Sequence, residues 1–175
     1  MRHRPSLLIA LGAAALWAGC APLRSPAGAA VPAGAALGRP LPAVEVATLD
    51  GRPVALAAAL AGRPALISLW ATWCEACATE FEPLRRLHEG VGARGGEVVA
   101  VSVGEPAERV RALVQERGLP WRQFVDPDFR FADALGQKQV PTTLVVNAAG
   151  EVTFLGGALD EAALAALRRE LDRRP

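Results

Sequence analysis

The stretch that decides the fold is ALISLWATWCEAC, residues 65–77. Residues 65–70 form an apolar run broken only by one serine, which is typical of a strand buried on both faces. A helical spacing of apolar residues begins near Cys74, so the strand delivers Cys74 and Cys77 to the first turn of a helix. Because residues three apart lie on one helix face, the two sulfurs can meet and form a disulfide.

The place of Cys74 at the start of a helix favours its reactive form. Unpaired amide groups and the positive end of the helix dipole stabilise a thiolate there. We therefore predict that Cys74 is the nucleophile of thiol–disulfide exchange and that Cys77, one turn deeper, is the resolving cysteine. A bridge between residues only three apart removes little entropy from the unfolded chain, which favours a reactive pair over a structural staple.

Three stretches carry a resemblance to a known family: WATWCEACATE at 70–80, VVAVSV at 98–103 and VPTT at 140–143. They are similar to the membrane-tethered thioredoxin-like thiol–disulfide oxidoreductases of the TlpA, ResA and DsbE (CcmG) group, within the redoxin family. The resemblance extends over residues 40–172. It implies a thioredoxin-like α/β fold in which a central mixed sheet carries helices on both faces and an extra N-terminal β-hairpin.

The same resemblance implies roles for residues outside the cysteine pair. Pro141 is expected to form a cis peptide bond with Val140 against the cysteines, where both residues and Trp73 would bind a substrate chain as a short added strand. Glu80, one turn after Cys77, resembles the general acid–base of the related reductases. The alternatives are an ordinary strand-initiating proline and a solvated helix residue.

Hydrophobic patterns predict the other elements. Alternation over 44–47, a D-G turn and a weak partner strand at 54–56 predict the hairpin. The remaining predicted elements are a helix over 75–91 kinked by Pro83, strands over 97–103 and 121–125, a helix from 106 to 118, a helix ending near 136, a hairpin over 142–155 and a last helix capped by Asp160. Alternating strands and helices favour a central sheet covered on both faces.

The N-terminal segment has the parts of an export signal over residues 1–20. A positive start precedes an apolar stretch at 7–18, which is too short to span a bilayer comfortably. Ala-Gly-Cys at 18–20 resembles the lipobox of bacterial lipoproteins, so Cys20 is the predicted lipidation site, although Trp17 stands where leucine is usual. Simple cleavage nearby and an uncleaved anchor are the alternatives.

The predicted domain organisation follows from these patterns. Residues 21–40, rich in Ala, Pro and Gly, are expected to form a tether, and residues 41–175 the thioredoxin-like domain. Each route for residues 1–20 places that domain outside the cytoplasm, on the periplasmic side. No added dimerisation segment is recognised, so a monomer is expected.

Composition and motifs limit the cofactors and partners. The formal net charge is +1, which gives no indication of a nucleic-acid surface. Zinc is not expected, because there is no second C-x-x-C and His88 would lie about 16 Å from Cys77 along a helix. Without a flavin or nicotinamide motif no cofactor is expected, so a membrane redox protein would supply the electrons.

The predicted function is an extracytoplasmic reductase of disulfides in exported proteins. The resemblance suggests apocytochrome c as one substrate. Glu75 lies beside Cys74, and no histidine or lysine separates the cysteines. This favours the reducing end of a scale that runs from about −270 mV for thioredoxin to about −120 mV for DsbA.

The sequence argues against two other functions. A redoxin-type peroxidase would need a T-x-x-C pattern, but Thr72 precedes Cys74 by only two residues. A non-catalytic copper- or thiol-binding module on the same fold would favour C-x-x-x-C with a distant histidine, or clusters of methionine and histidine. The only methionine is Met1. The absence of both patterns favours thiol–disulfide exchange over peroxidase activity and over non-catalytic binding.

Overall fold

The structure, a computed structural model, describes residues 36–173. The predicted export signal, Cys20 and most of the predicted tether lie outside the described residues. The elements in chain order are β1 (Glu45–Thr48), β2 (Pro53–Ala55), α1 (Leu56–Leu60), β3 (Ala65–Trp70), α2 (Glu75–Ala78), α3 (Phe81–Gly92), β4 (Glu97–Val103), α4 (Ala107–Arg117), β5 (Arg122–Asp126), α5 (Arg130–Ala134), β6 (Thr142–Val146), β7 (Val152–Gly156) and α6 (Glu161–Asp172).

The strands form one mixed sheet in the order β2-β1-β5-β4-β3-β6-β7. The central strands β3, β4 and β5 are parallel, whereas β6, β7 and the N-terminal hairpin pair antiparallel. β3 and β4 are buried along their whole length, as their continuous apolar sequences predict. The predicted central mixed sheet with an N-terminal hairpin is confirmed.

The sheet divides the core into two apolar clusters, because successive side chains of a strand point to opposite faces. One cluster joins Ile67 and Val99 to helices α1 and α5. The other joins Leu66 and Val98 to helices α3, α4 and α6, and it includes both cysteines. Helices therefore cover both faces, and the reactive pair is built into the core on one of them.

The segment before β1 packs on the far edge of the sheet. The N–H of Gly38 donates to the carbonyl of Val152 (2.8 Å), and the N–H of Val152 donates to Arg39 (2.8 Å). The N–H of Leu41 donates to Gly150 (2.9 Å). Residues 36–40, predicted as the end of the tether, thus cover the beginning of β7. At the opposite edge, β2 is three residues long and starts with Pro53.

The predicted helix over 75–91 consists of two helices. α2 ends at Ala78 and α3 begins at Phe81. Pro83 has no N–H to donate to the carbonyl of Thr79, and its ring crowds that carbonyl. The proline therefore occupies the first turn of α3, where an N–H would have no helical partner in any case. The prediction of one continuous helix kinked at Pro83 was wrong.

Candidate active site

The cysteine pair lies where β3 enters α2. Cys74 is the N-cap of α2, and its N–H closes a turn by donating to the carbonyl of Ala71 (3.1 Å). Cys74 and Cys77 form a disulfide with an S–S distance of 2.07 Å and a Cα–Cα distance of 5.3 Å. The N–H of Cys77 donates to Sγ of Cys74 (3.1 Å), as a helix N-terminus would to a thiolate. The first cysteine thus receives an amide donor directly on its sulfur.

The two cysteines are both largely buried but differ in exposure. Cys74 is 8% exposed and Cys77 is 2% exposed. The more exposed cysteine is the residue predicted to attack a substrate. Trp73, immediately before it, is 60% exposed, which is unusual for a tryptophan. An incoming chain can therefore contact the indole next to Cys74.

The register of the sheet brings Pro141 to the same end as the cysteines. Thr142 pairs with Leu69 near the carboxyl end of β3, so Pro141 precedes β6 opposite the turn that leads to Cys74. The peptide bond between Val140 and Pro141 is cis, the conformation that the resemblance implies. Val140 is half-buried and packs against both apolar clusters. Its role in substrate binding stays a prediction.

Glu80 lies in the break between α2 and α3. It is the N-cap of α3, and its side chain is buried although it carries a carboxyl group. The N–H of Leu159, 79 positions along the chain, donates to Oε1 of Glu80 (2.7 Å). Burial raises the pKa of Glu80 above its ordinary value of 4.5, and the hydrogen bond from Leu159 opposes part of that rise. A carboxyl of this kind exchanges protons closer to neutral pH than an exposed one does.

We expect Glu80→Gln to change how stability depends on pH. Because the pKa of Glu80 is raised by folding, its contribution to stability is fully present below the unfolded-state value of 4.5 and is lost as pH rises through the folded-state pKa. The parent should therefore lose stability relative to Glu80→Gln as pH rises above 4.5. Urea unfolding from about pH 4 to about pH 8 measures this difference.

The glutamine variant keeps a carbonyl oxygen that accepts from Leu159, so the comparison isolates the ionising group. Glu82→Gln, which changes an exposed glutamate two residues further along, is the control for the loss of a charge. A difference between the parent and Glu80→Gln that stayed constant with pH would contradict the effect of burial.

A second buried carboxylate, Glu105, was not singled out from the sequence. It follows Gly104 at the carboxyl end of β4 and is 2% exposed. Its oxygens accept hydrogen bonds from the N–H of Thr72 (2.6 Å), from the hydroxyl of Thr72 and from the hydroxyl of Ser102 (2.9 Å). Its position just after a buried central strand was the one signal available in the sequence, because functional groups of such sheets gather at the carboxyl ends of the strands.

Among residues 36–173, no group of three or more histidine, cysteine, aspartate or glutamate side chains is arranged to hold a metal ion. No helix in the same residues has both the length and the apolar character that crossing a bilayer requires.

The match to a known family lies within the same part of the chain. The sequence profile of the AhpC/TSA family matches residues 37–155, well over half of the chain. This chain belongs to the AhpC/TSA family. The match begins in the segment that covers β7 and ends within β7 itself, so both cysteines, Glu80, Glu105 and Pro141 lie inside the AhpC/TSA region.

Within the AhpC/TSA family, the chain is similar to proteins named for thiol–disulfide chemistry. It is 32% identical to thiol-disulfide oxidoreductase ResA of Bacillus subtilis over 93 residues, which cover 53% of this chain and 52% of ResA. It is 28% identical to thiol:disulfide interchange protein DsbE of Pseudomonas fluorescens over 117 residues, covering 66% and 64%. The matched part of this chain thus spans little more than half of the length of ResA.

A solved structure supports the thioredoxin-like fold. The crystal structure of a thiol:disulfide interchange protein of the thioredoxin family from Chlorobium tepidum superimposes with a TM-score of 0.61. The superposition covers 76% of this chain and 97% of that one, at 24% sequence identity. At this identity the likeness establishes the fold, which is the thioredoxin-like fold that the sequence predicted.

Proposed function

We propose that this protein is a thiol–disulfide oxidoreductase that reduces disulfides in exported proteins. The observation that carries the proposal is the bonded pair Cys74–Cys77, with the more exposed cysteine at the N-cap of α2 and an amide donor on its sulfur. Such a pair stores two electrons when it is reduced, and its leading sulfur is held where a thiolate is stabilised. The names of the ResA and DsbE relatives support the same chemistry.

The reaction proceeds through two exchanges. The Cys74 thiolate attacks one sulfur of the substrate disulfide, the substrate S–S bond breaks, and the other substrate sulfur leaves as a thiolate that takes up a proton. Cys77 then loses its proton, attacks the Cys74 sulfur and releases the second substrate thiol. The protein pair is oxidised to a disulfide, and two electrons pass to the substrate.

Glu80 would accept the proton of Cys77 before the second exchange. It lies three residues after Cys77, and its N–H donates to the carbonyl of Cys77 (3.0 Å). Its raised pKa makes its carboxylate a better base than an exposed glutamate. Val140, Pro141 and Trp73 would hold the substrate chain beside the pair.

The cellular setting belongs to the same proposal. The export signal at 1–20 and Cys20 would anchor the domain to a membrane through a lipid, on the periplasmic side. A membrane redox protein would return electrons to the oxidised pair, and apocytochrome c is a candidate substrate. Residues 21–35 would act as the tether.

The first test measures the reduction potential of the pair. The full chain is equilibrated in dithiothreitol buffers, and the thiols are counted by alkylation and mass spectrometry. Because Glu75 lies beside Cys74 and the pair has no intervening cation, we expect a potential nearer to about −270 mV than to about −120 mV. A potential near the oxidising value, or rapid turnover of peroxide, would contradict the reductase proposal.

A further inference from the structure

We propose that Glu105 is a positioning residue for disulfide exchange, which holds the turn 71–74 and so fixes the direction of the Cys74 sulfur. The inference rests on the proposed function, because it assigns Glu105 to the same site. Its geometry is a buried carboxylate that reaches from the end of β4 to the turn between β3 and α2. The two segments are 33 positions apart in sequence.

Glu105 is satisfied by neutral donors. Among the ion pairs of the described residues, none involves Glu105. A buried carboxylate without a cation is costly unless hydrogen bonds replace the lost water. Thr72 provides two of these bonds and Ser102 the third. The carboxylate and the turn therefore depend on each other.

The contact with Thr72 restrains both its backbone and its side chain. Thr72 is the second residue of the turn that the bond from Cys74 to Ala71 closes. The next two residues are the exposed Trp73 and Cys74 itself. A rotation of the Thr72 peptide would therefore move the indole and the sulfur together.

Ser102 ties the carboxylate to the sheet. It lies in β4 and pairs with Trp70, the last residue of β3, in the parallel register. Glu105 thus bridges a rigid strand and the turn. Attack on a disulfide requires the thiolate to approach along the S–S axis, and a misplacement of about 1 Å can slow such a reaction about 100-fold.

The test compares reduced full-length variants reacting with oxidised glutathione in a stopped-flow instrument. Each rate constant is measured across a pH series. It is calculated from the concentration of folded protein, which circular dichroism determines. Glu105→Leu removes every acceptor and should lower the rate constant about 10-fold or more at all pH values. Glu105→Gln keeps an oxygen for the Thr72 N–H, and its amide can donate to the Thr72 hydroxyl, so it should recover a rate within about 2-fold of the parent.

A second pair of variants tests the same inference if Glu105→Leu does not fold. Thr72→Val and Ser102→Ala each remove one hydroxyl donor from the same carboxylate, but only the first lies in the turn. Positioning predicts that Thr72→Val slows exchange more than Ser102→Ala does, because the Thr72 hydroxyl restrains the turn directly whereas Ser102 acts on it only through Glu105. Equal effects of these two variants, or a folded Glu105→Leu protein with the parent's rate, would overturn the inference.

The parent protein separates the two proposals. If the parent exchanges rapidly and the variants react at the parent's rate, only the role of Glu105 is refuted. A parent no faster than free cysteine would overturn the proposed function, and with it this inference. A glutamine variant as slow as the leucine variant would also overturn positioning, because charge alone would then explain the loss.

Discussion

Replacing Cys74 with serine is expected to reduce disulfide exchange to the uncatalysed background, because the nucleophile of the first exchange is lost. A serine hydroxyl stays protonated where a thiol ionises, so the amide donor of Cys77 has no thiolate to stabilise. The measurement is the reduction of insulin disulfides by the dithiothreitol-reduced protein, with the fraction folded checked by circular dichroism.

Cys77→Ser is the matched control, because it makes the same chemical change three residues away. The first exchange should still proceed, while the second cannot, so a mixed disulfide with the substrate should accumulate and be visible by mass spectrometry. The same variant can trap natural partners from a cell extract. Adducts on Cys77 in the Cys74→Ser protein, with none on Cys74 in Cys77→Ser, would show that the roles are reversed.

Phe131→Ala should lower the free energy of unfolding by about 3–5 kcal/mol. The Phe131 side chain is fully buried in the cluster that joins the sheet to α1 and α5. Truncation removes its apolar burial and leaves a cavity in a closely packed core. Since domains of this size are stable by about 5–15 kcal/mol, the variant would lose a large share of its stability. Urea unfolding of the oxidised protein measures the change.

Phe129→Ala offers the same substitution two residues earlier. Phe129 is 38% exposed and makes less buried contact, so its loss should cost about 1 kcal/mol or less. Similar losses for both phenylalanines would mean that the cluster around Phe131 tolerates a cavity or closes over it.

The central part of the fold follows from local pattern. The strand over 97–103 was predicted to the residue, because a continuous apolar run admits little besides a buried strand. The cysteines were placed at a helix start for the same reason: a buried strand ran directly into helical spacing. Strong patterns bounded by glycine or proline leave little freedom in where an element begins.

Two local features were missed. Leu56 was read as the end of a strand, but it begins α1, a short helix with no side-chain cap. Burial of Leu56 and Leu60 stabilises the helix. The hydrophobic pattern of only five residues cannot distinguish such a helix from a strand. The sequence predicts a kink at Pro83, whereas the helix is interrupted before Phe81. A proline disrupts the helical turn that precedes it, so the interruption lies before the proline.

The chemistry of the site was predictable only in part. Cys74 and Cys77 are only three residues apart, so one helical turn brings their sulfurs together without help from the rest of the chain. Glu80 and Glu105 depend on partners distant in sequence, Leu159 and Thr72, which only the folded chain brings to them. A glutamate between a glycine and a proline reads locally as a solvated loop residue. Burial of such a group becomes evident only when its donors are known.

The treatment of the two sheet edges bears on how the protein behaves at high concentration. Unpaired strand edges recruit strands from other molecules and begin aggregation. The residues before β1 already occupy the start of one edge, and at the other edge Pro53 opens a very short strand without an amide to offer. The fold is thereby protected against edge-to-edge self-association, which lowers the tendency of the described domain to aggregate.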